Sequence, residues 1–213
     1  MRSFARRAAL PGLCLAALMV LGGCASAPVR FYSLAAPGQP AAPAAATVGG
    51  KSPMFVEFAP LALPQRLARP QLVVRKADAE TSARVEVLED YRWASSFQYE
   101  LRDALANRVA GQLGAINSTV SGRPPDQPAW RIFLQVQSFD AVLDRRIDVD
   151  LNWSVRRTDG GADASICRWS GSEQLAPGMD ALAQGAQRLT ERAADAIARQ
   201  LAALAAGTGP GCG

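Results

Sequence analysis

The cysteine at position 24 stands where its thiol could be modified covalently. Two small residues precede it in the segment Leu21-Gly22-Gly23-Cys24. A peptidase that grips extended backbone needs small residues before its cut, and a cysteine just after the cut can form a thioether to a diacylglycerol. The segment therefore predicts that residues 1–23 are removed and that Cys24 becomes a lipidated N-terminus.

The residues before Cys24 have the order of a signal peptide. Arg2, Arg6 and Arg7 are followed by an apolar run over 8–21. A spanning helix needs roughly 20 apolar residues, so this run of about 14 favours a cleaved signal over a permanent transmembrane helix. The alternative is an ordinary signal peptide cut elsewhere, with Cys24 unmodified. Leu-Gly-Gly-Cys resembles the lipobox of bacterial lipoproteins, and Ala25 in place of the retaining aspartate then implies the periplasmic face of the outer membrane.

Two further cysteines belong to the mature chain. Cys167 lies in a strand-like segment, and Cys212 lies in the Gly-rich tail 207–213. Disulfides persist in the oxidising periplasm. A bridge would fasten the tail to the domain, but it requires the two Cα atoms to come within ~4.4–6.8 Å, which a sequence does not reveal. A disulfide and two free thiols both remain open.

Charge and composition exclude several classes of function. Of 23 basic and 19 acidic residues, three arginines leave with the signal, so 20 basic residues remain against 19 acidic ones and the mature net charge is +1. This near-neutral balance gives no basic footprint for nucleic acid. The chain has no histidine, which removes the usual catalytic base and the commonest metal ligand. Nucleotide-binding glycine motifs and Cys-x-x-Cys pairs are absent as well.

One acidic group could in principle do chemistry. It comprises Asp140, Asp144, Asp148 and Asp150. Carboxylate pairs serve as acid and base in glycosidases, and several carboxylates together can bind Ca²⁺. The spacing lacks the glycine of a calcium loop, however, and Arg145 and Arg146 can neutralise the acids. A solvated face is the favoured interpretation, so we predict no catalytic residue, cofactor or metal.

A second group suits recognition. Asp90-Tyr91-Arg92-Trp93-Ala94 lies between a predicted strand and a predicted helix. Aromatic and arginine side chains are common interface anchors, which makes Tyr91, Arg92 and Trp93 candidate partner contacts. The alternative is that Trp93 packs into the core and Arg92 pairs with Asp90 or Glu89.

The elements that would position these groups follow from hydrophobic periodicity. Alternation predicts strands over 55–58, 71–75, 84–88, 130–139, 147–155 and 165–175, the last three forming an antiparallel meander. A capping box of Ser95 and Gln98 predicts the start of a helix that Gly114 ends. A second amphipathic helix is predicted over 180–206. The fold class is therefore α/β: a mixed, largely antiparallel sheet packed by two long helices, similar to an αβα sandwich.

The chain divides into four parts. The signal peptide covers 1–23, and residues 24–53 hold the lipidated N-terminus, a short strand and an Ala/Pro/Gly-rich stretch. That stretch has too little apolar surface to fold alone, which predicts a loop or tether. One domain covers 54–206, and the tail covers 207–213.

Several of these segments together resemble a known family, the ABC-type transport auxiliary lipoproteins, or PqiC-like proteins. The resemblance rests on the lipobox and on Phe31-Tyr32-Ser33-Leu34, Arg69-Pro70-Gln71-Leu72-Val73-Val74-Arg75 and Tyr91-Arg92-Trp93-Ala94. It implies a non-enzymatic docking component that is held on a membrane by acyl chains. Its implied partner is an MCE-domain protein of an inner-membrane ABC transporter that moves lipids, and a homo-oligomeric ring is one form it could take. A lipid carrier and a structural envelope protein remain alternatives.

Overall fold

A computed structural model of the chain describes residues 28–35, 53–76, 83–160, 166–209 and 212. The predicted signal peptide, Cys24 and most of the Ala/Pro/Gly-rich stretch lie outside these residues, so the predictions made for them stay predictions. The strands are β1 (Arg30–Tyr32), β2 (Phe55–Phe58), β3 (Gln71–Val74), β4 (Glu86–Trp93), β5 (Ile116–Asn117), β6 (Ala129–Val142), β7 (Arg146–Arg157) and β8 (Cys167–Gln174). The helices are α1 (Phe97–Leu113) and α2 (Met179–Ala205), with one 3₁₀ turn over Gln65–Leu67.

The strands form two sheets. A five-stranded sheet has the order β5-β2-β6-β7-β8, and a three-stranded sheet has the order β1-β4-β3. β6, β7 and β8 pair antiparallel, as the predicted meander requires, whereas β2 is parallel to β6 and β1 is parallel to β4. The predicted class, a mixed α/β domain with two long helices, is confirmed.

The long strand β6 connects the two sheets. Its first residues pair with β2, and isolated parallel bridges then join it to Ala62 and to Arg75, which follows β3. At ~3.3 Å per residue, a strand of this length extends over roughly 43 Å. We call the end where β6 turns into β7 the hairpin end, and the end where β6 begins the far end.

Both helices pack on one face of the five-stranded sheet. The Phe97 ring of α1 lies 4.8 Å from the ring of Phe139 on β6, and the indole N–H of Trp153 on β7 donates a 2.6 Å hydrogen bond to Gln200 of α2. Alternate residues of β7 are buried under this helix layer, and the residues between them are half-buried on the opposite face. The helices thus share one layer, and no described helix covers the other face of the sheet. Within the described ranges, neither helix is long and apolar enough to cross a bilayer.

The start of α1 differs from its prediction. The helix begins after Ser96, which makes no side-chain cap, so the predicted Ser95–Gln98 capping box is wrong. Both side chains bind other groups instead of capping the helix. Ser95 donates to Glu100, and Gln98 donates to the Leu61 carbonyl at 2.8 Å. The end of the helix is as predicted, since Gly114 adopts φ 59°, a left-handed conformation that suits glycine.

Candidate functional site: the docked N-terminal segment

The segment that follows the predicted lipidation site belongs to the folded domain. β1 extends the small sheet, pairing Arg30 with Tyr91 and Tyr32 with Trp93, and the Ala94 amide donates to the Tyr32 carbonyl at 2.7 Å. Leu34 is only 2% exposed and is part of the main core cluster. The ordered domain therefore includes residues that precede the Ala/Pro/Gly-rich stretch as well as those that follow it.

Glu100 of α1 holds this segment from one side. One carboxylate oxygen accepts hydrogen bonds from the Ser33 hydroxyl at 2.9 Å and from the Leu34 amide at 3.0 Å. The other oxygen accepts from the Ser95 hydroxyl at 3.1 Å. The Glu100 carboxylate in the first turn of α1 thus binds both the residues that follow β1 and the residues that follow β4.

Helix α2 holds the same segment from the other side. The Gln187 amide donates to the carbonyls of Ser33 at 2.8 Å and Ala35 at 3.3 Å. The Tyr32 hydroxyl donates to Asp180 at 2.9 Å. Burial, followed by the hydrogen bond and the negative charge of Asp180, raises the pKa of the Tyr32 phenol. We refer to Tyr32, Glu100, Asp180 and Gln187 as the clamp.

No sequence pattern pointed to the clamp. Its partners are separated from the segment by 66 to 154 residues, and Glu100 and Gln187 look like ordinary polar positions on amphipathic helices. The short apolar run over 29–34 has the alternation of a strand and could have predicted β1. It has no neighbouring strand in sequence, so it did not indicate where β1 would pair.

The three candidate partner contacts differ in exposure. Trp93 is 4% exposed and its ring lies 5.7 Å from that of Phe97, so it packs into the core. Tyr91 and Arg92 are half-buried, and Arg92 donates to the Glu89 carbonyl at 3.0 Å and lies 3.9 Å from its carboxylate. All three lie within β4 rather than in a connection, because the strand continues to Trp93.

The acidic residues near the hairpin end are engaged by other groups. Asp140 pairs with Arg75 at 2.9 Å, Asp148 pairs with Arg146 at 2.7 Å and Asp150 pairs with Arg168 at 3.2 Å. Asp144, in the turn at φ 61°, accepts the Gly178 amide at 2.7 Å. Among the described residues, no three cysteine, aspartate or glutamate side chains are grouped so as to hold a metal ion.

A disulfide joins Cys167 to Cys212 in the structure, with the Cα atoms 5.5 Å apart. Cys167 is buried at the start of β8, whereas Cys212 is exposed. The bond links the segment after α2 to the edge of the five-stranded sheet, close to the buried pair of Trp153 and Gln200.

The remaining edge of β8 is covered in part by α2. Arg192 donates to the Ser172 carbonyl at 2.8 Å and, together with Arg188, binds Glu173. Hydrogen bonds from these two arginines lower the pKa of the Glu173 carboxyl. Side chains thus occupy part of the backbone edge that an open strand would offer to another chain.

Two hollows bear on ligand binding. One lies between the small sheet and the helices, is lined by apolar residues including Leu72, Trp93 and Phe97, and has a volume of about 10 Å³. That is room for about one water molecule. The other is a shallow hollow of about 300 Å³ on the open sheet face, beside Phe133 and Ile166. Neither encloses a volume that would take up a whole lipid.

Comparison with known proteins agrees with this architecture. Residues 32–198 match the family model described as "ABC-type transport auxiliary lipoprotein component". A crystal structure from Xanthomonas campestris has a similar fold, with a TM-score of 0.56 and 12% identity, over 84% of this chain and 98% of that one. A second crystal structure, of a protein without an assigned function, gives a TM-score of 0.58 and 16% identity over 82% and 99% of the two chains. No curated protein matches.

Proposed function

Because the chain belongs to the family of ABC-type transport auxiliary lipoprotein components, we propose that it anchors to the outer membrane, faces the periplasm and docks an MCE-type ABC transport system. The cargo of that system is lipid moving between the two membranes. The observation that carries this proposal is the family match, which extends over 32–198 and thus over nearly all of the ordered domain.

The role is non-enzymatic. The chain has no histidine to act as a general base. Asp140, Asp148 and Asp150, the acids that could replace one, each pair with an arginine. Such pairing suits a structural surface better than a proton-transfer site. These observations support docking over catalysis.

Docking also fits better than carriage of a lipid inside the domain. Ligand pockets are typically concave and about 300–1,000 Å³ in volume. The apolar hollow beside Trp93 has about 10 Å³, and the larger hollow is an open depression on a sheet face. Neither of these two hollows in the described part of the chain is an enclosed cavity of that size, which supports docking through outer surfaces.

The partner of this adaptor is an MCE-domain protein, and several copies of the chain could surround it as a ring. Tyr91 and Arg92 are the proposed contacts, since each retains some exposure on β4. Trp93 supports them from the core. Arg92→Ala should reduce recovery of the partner in a pull-down, while Arg156→Ala, on an exposed position of β7, serves as the matched control.

The decisive experiment compares the wild-type protein with Cys24→Ser. We expect the variant to fold as a soluble periplasmic protein and to fail to support the transporter in cells that lack the wild-type copy. A pull-down of the wild-type protein from solubilised envelopes should recover an MCE-domain partner. Full complementation by Cys24→Ser would show that anchoring is dispensable, and recovery of no such partner would contradict the docking role.

A further inference from the structure

The described part of the domain begins very close in sequence to the predicted anchor. Three residues, 25–27, separate Cys24 from Pro28, and Pro28 is the first residue that the structure describes. A fully extended chain advances at most ~3.3–3.6 Å per residue, so the two Cα atoms lie within about 14 Å of each other. The clamp fixes the segment after Pro28 to both helices. A lipid on Cys24 would therefore hold the domain directly at the bilayer surface.

The part of the domain closest to the anchor is apolar and exposed. Val29 is 40% exposed and Phe31 is 64% exposed. They are two residues apart in an extended segment, where alternate side chains point to the same side. The neighbouring Tyr32 is turned towards the domain, since its hydroxyl binds Asp180. Phe31 on the edge strand β1 and Val29 just before that strand thus form a short, exposed apolar strip.

We propose that Val29 and Phe31 contact the phospholipid surface that holds the acyl chains of Cys24. This inference rests on the proposed lipidation and adds to it the surface that meets the membrane. Val29 and Phe31 lie five and seven residues after Cys24, so their Cα atoms are at most about 18 Å and 25 Å from its Cα atom, and the chain is short enough to bring them to the headgroup layer, which is about 5–8 Å thick. Apolar residues, including phenylalanine, are what interfacial segments bury at this depth.

The strand directions also give the orientation of the domain. β1 is parallel to β4, and β4 is antiparallel to β3, whose continuation at Arg75 runs parallel to β6. The chain upstream of β1 therefore points towards the hairpin end. That end faces the membrane, and the far end, which carries the exposed Val120, projects away from it by up to about 40 Å.

The Ala/Pro/Gly-rich stretch then has a different role from a membrane tether. It connects Ala35, which the clamp holds, with Pro53, which leads into β2. Both of its ends belong to the same domain, so its length does not set the distance to the bilayer. The three residues 25–27 set that distance.

The first test places a fluorescent probe on the strip. Phe31→Cys and Val120→Cys are labelled with an environment-sensitive NBD dye in the lipidated protein, where Cys24 is acylated and the other two cysteines are bonded. The proteins are reconstituted into phosphatidylethanolamine and phosphatidylglycerol vesicles with headgroup nitroxide lipids. We expect strong quenching at position 31 and none at position 120. Equal signals at the two positions, or no more quenching at 31 than in soluble Cys24→Ser protein carrying the same label, would overturn the proposal.

The second test moves the anchor without touching the strip. About ten Gly/Ser residues, which span roughly 18 Å as a flexible linker, are inserted either after Ala27 or after Gly38. Insertion after Ala27 should remove most of the quenching at position 31, and insertion after Gly38 should leave it unchanged. The opposite result would identify the Ala/Pro/Gly-rich stretch as the tether and refute the proposal.

Co-sedimentation with the vesicles distinguishes loss of the membrane contact from loss of the lipid anchor. A protein that sediments but shows no quenching at position 31 is anchored without using the strip, which refutes only the membrane contact. A protein that does not sediment lacks the anchor, which refutes the proposed lipoprotein function itself.

Discussion

Removal of the Glu100 carboxylate should release the N-terminal segment while the rest of the domain stays folded. In Glu100→Ala the Leu34 amide loses its acceptor although Leu34 remains buried, and the Ser33 hydroxyl loses a charged partner. An unsatisfied buried donor costs ~1–3 kcal/mol, and a hydrogen bond to a charged group is worth ~1.5–3 kcal/mol. The freed groups recover part of this lost free energy by binding water. We therefore expect the free energy of opening the segment to fall by about 2–3 kcal/mol.

Hydrogen exchange measures this opening directly. A change of about 2–3 kcal/mol corresponds to roughly 30- to 150-fold faster exchange of the amides in 28–35. The experiment uses the mature chain with Cys24→Ser and compares peptides from 28–35 with peptides from β7, whose exchange should not change. Glu100→Gln keeps one acceptor oxygen and should lose about half as much protection.

Glu89→Ala is the matched control, because it removes a carboxylate that is 68% exposed on the adjoining strand β4. It should leave exchange in 28–35 nearly unchanged. If Glu100→Ala and Glu89→Ala changed exchange in 28–35 by the same factor, the Glu100 carboxylate would not fix this segment to the domain. That result would refute a fixed attachment point next to Cys24.

Three further results are expected. The unreduced, denatured protein should show no reactive thiol at Cys167 or Cys212, and Cys212→Ser should lower the free energy of unfolding by up to about 4 kcal/mol, the chain-entropy value for a loop of 45 residues. Trp93→Ala should cost ~3–5 kcal/mol in urea unfolding, because it empties a core position. The raised pKa of Tyr32 gives stability that is complete below its unfolded value of 10.0 and is lost as pH rises through the folded pKa; Tyr32→Phe should flatten this alkaline slope in unfolding curves.

Local periodicity was sufficient to predict most of the elements. The alternation from Ile147 to Val155 predicted β7, which is buried on that face, and the stripe from Leu182 to Leu201 predicted the packed face of α2. Gly114 ended α1 because the left-handed conformation there suits glycine. Each of these signals depends only on residues within the same segment.

Long-range contacts account for what the sequence did not reveal. Ser95 and Gln98 have the spacing of a capping box, yet Glu100 and the Leu61 carbonyl compete for them successfully. Isolated bridges join β6 to Ala62 and to Arg75, and neither bridge has a local sequence pattern. The docking of β1 likewise depends on helix residues distant in sequence, and no periodicity encodes that.

The docking of β1 bears on both parts of the proposed function, the membrane anchor and the partner contact. An anchor on a loose tether would localise the domain but leave its orientation free. Here the chain enters the fold within about 14 Å of Cys24 and is held at once by β4, α1 and α2. Attachment at such a point restricts tilt as well as distance, because the strand direction is fixed relative to the sheet. Because Phe31 pairs with Arg92, a partner that contacts Arg92 would meet the domain beside the bilayer surface, at a position that the anchor fixes.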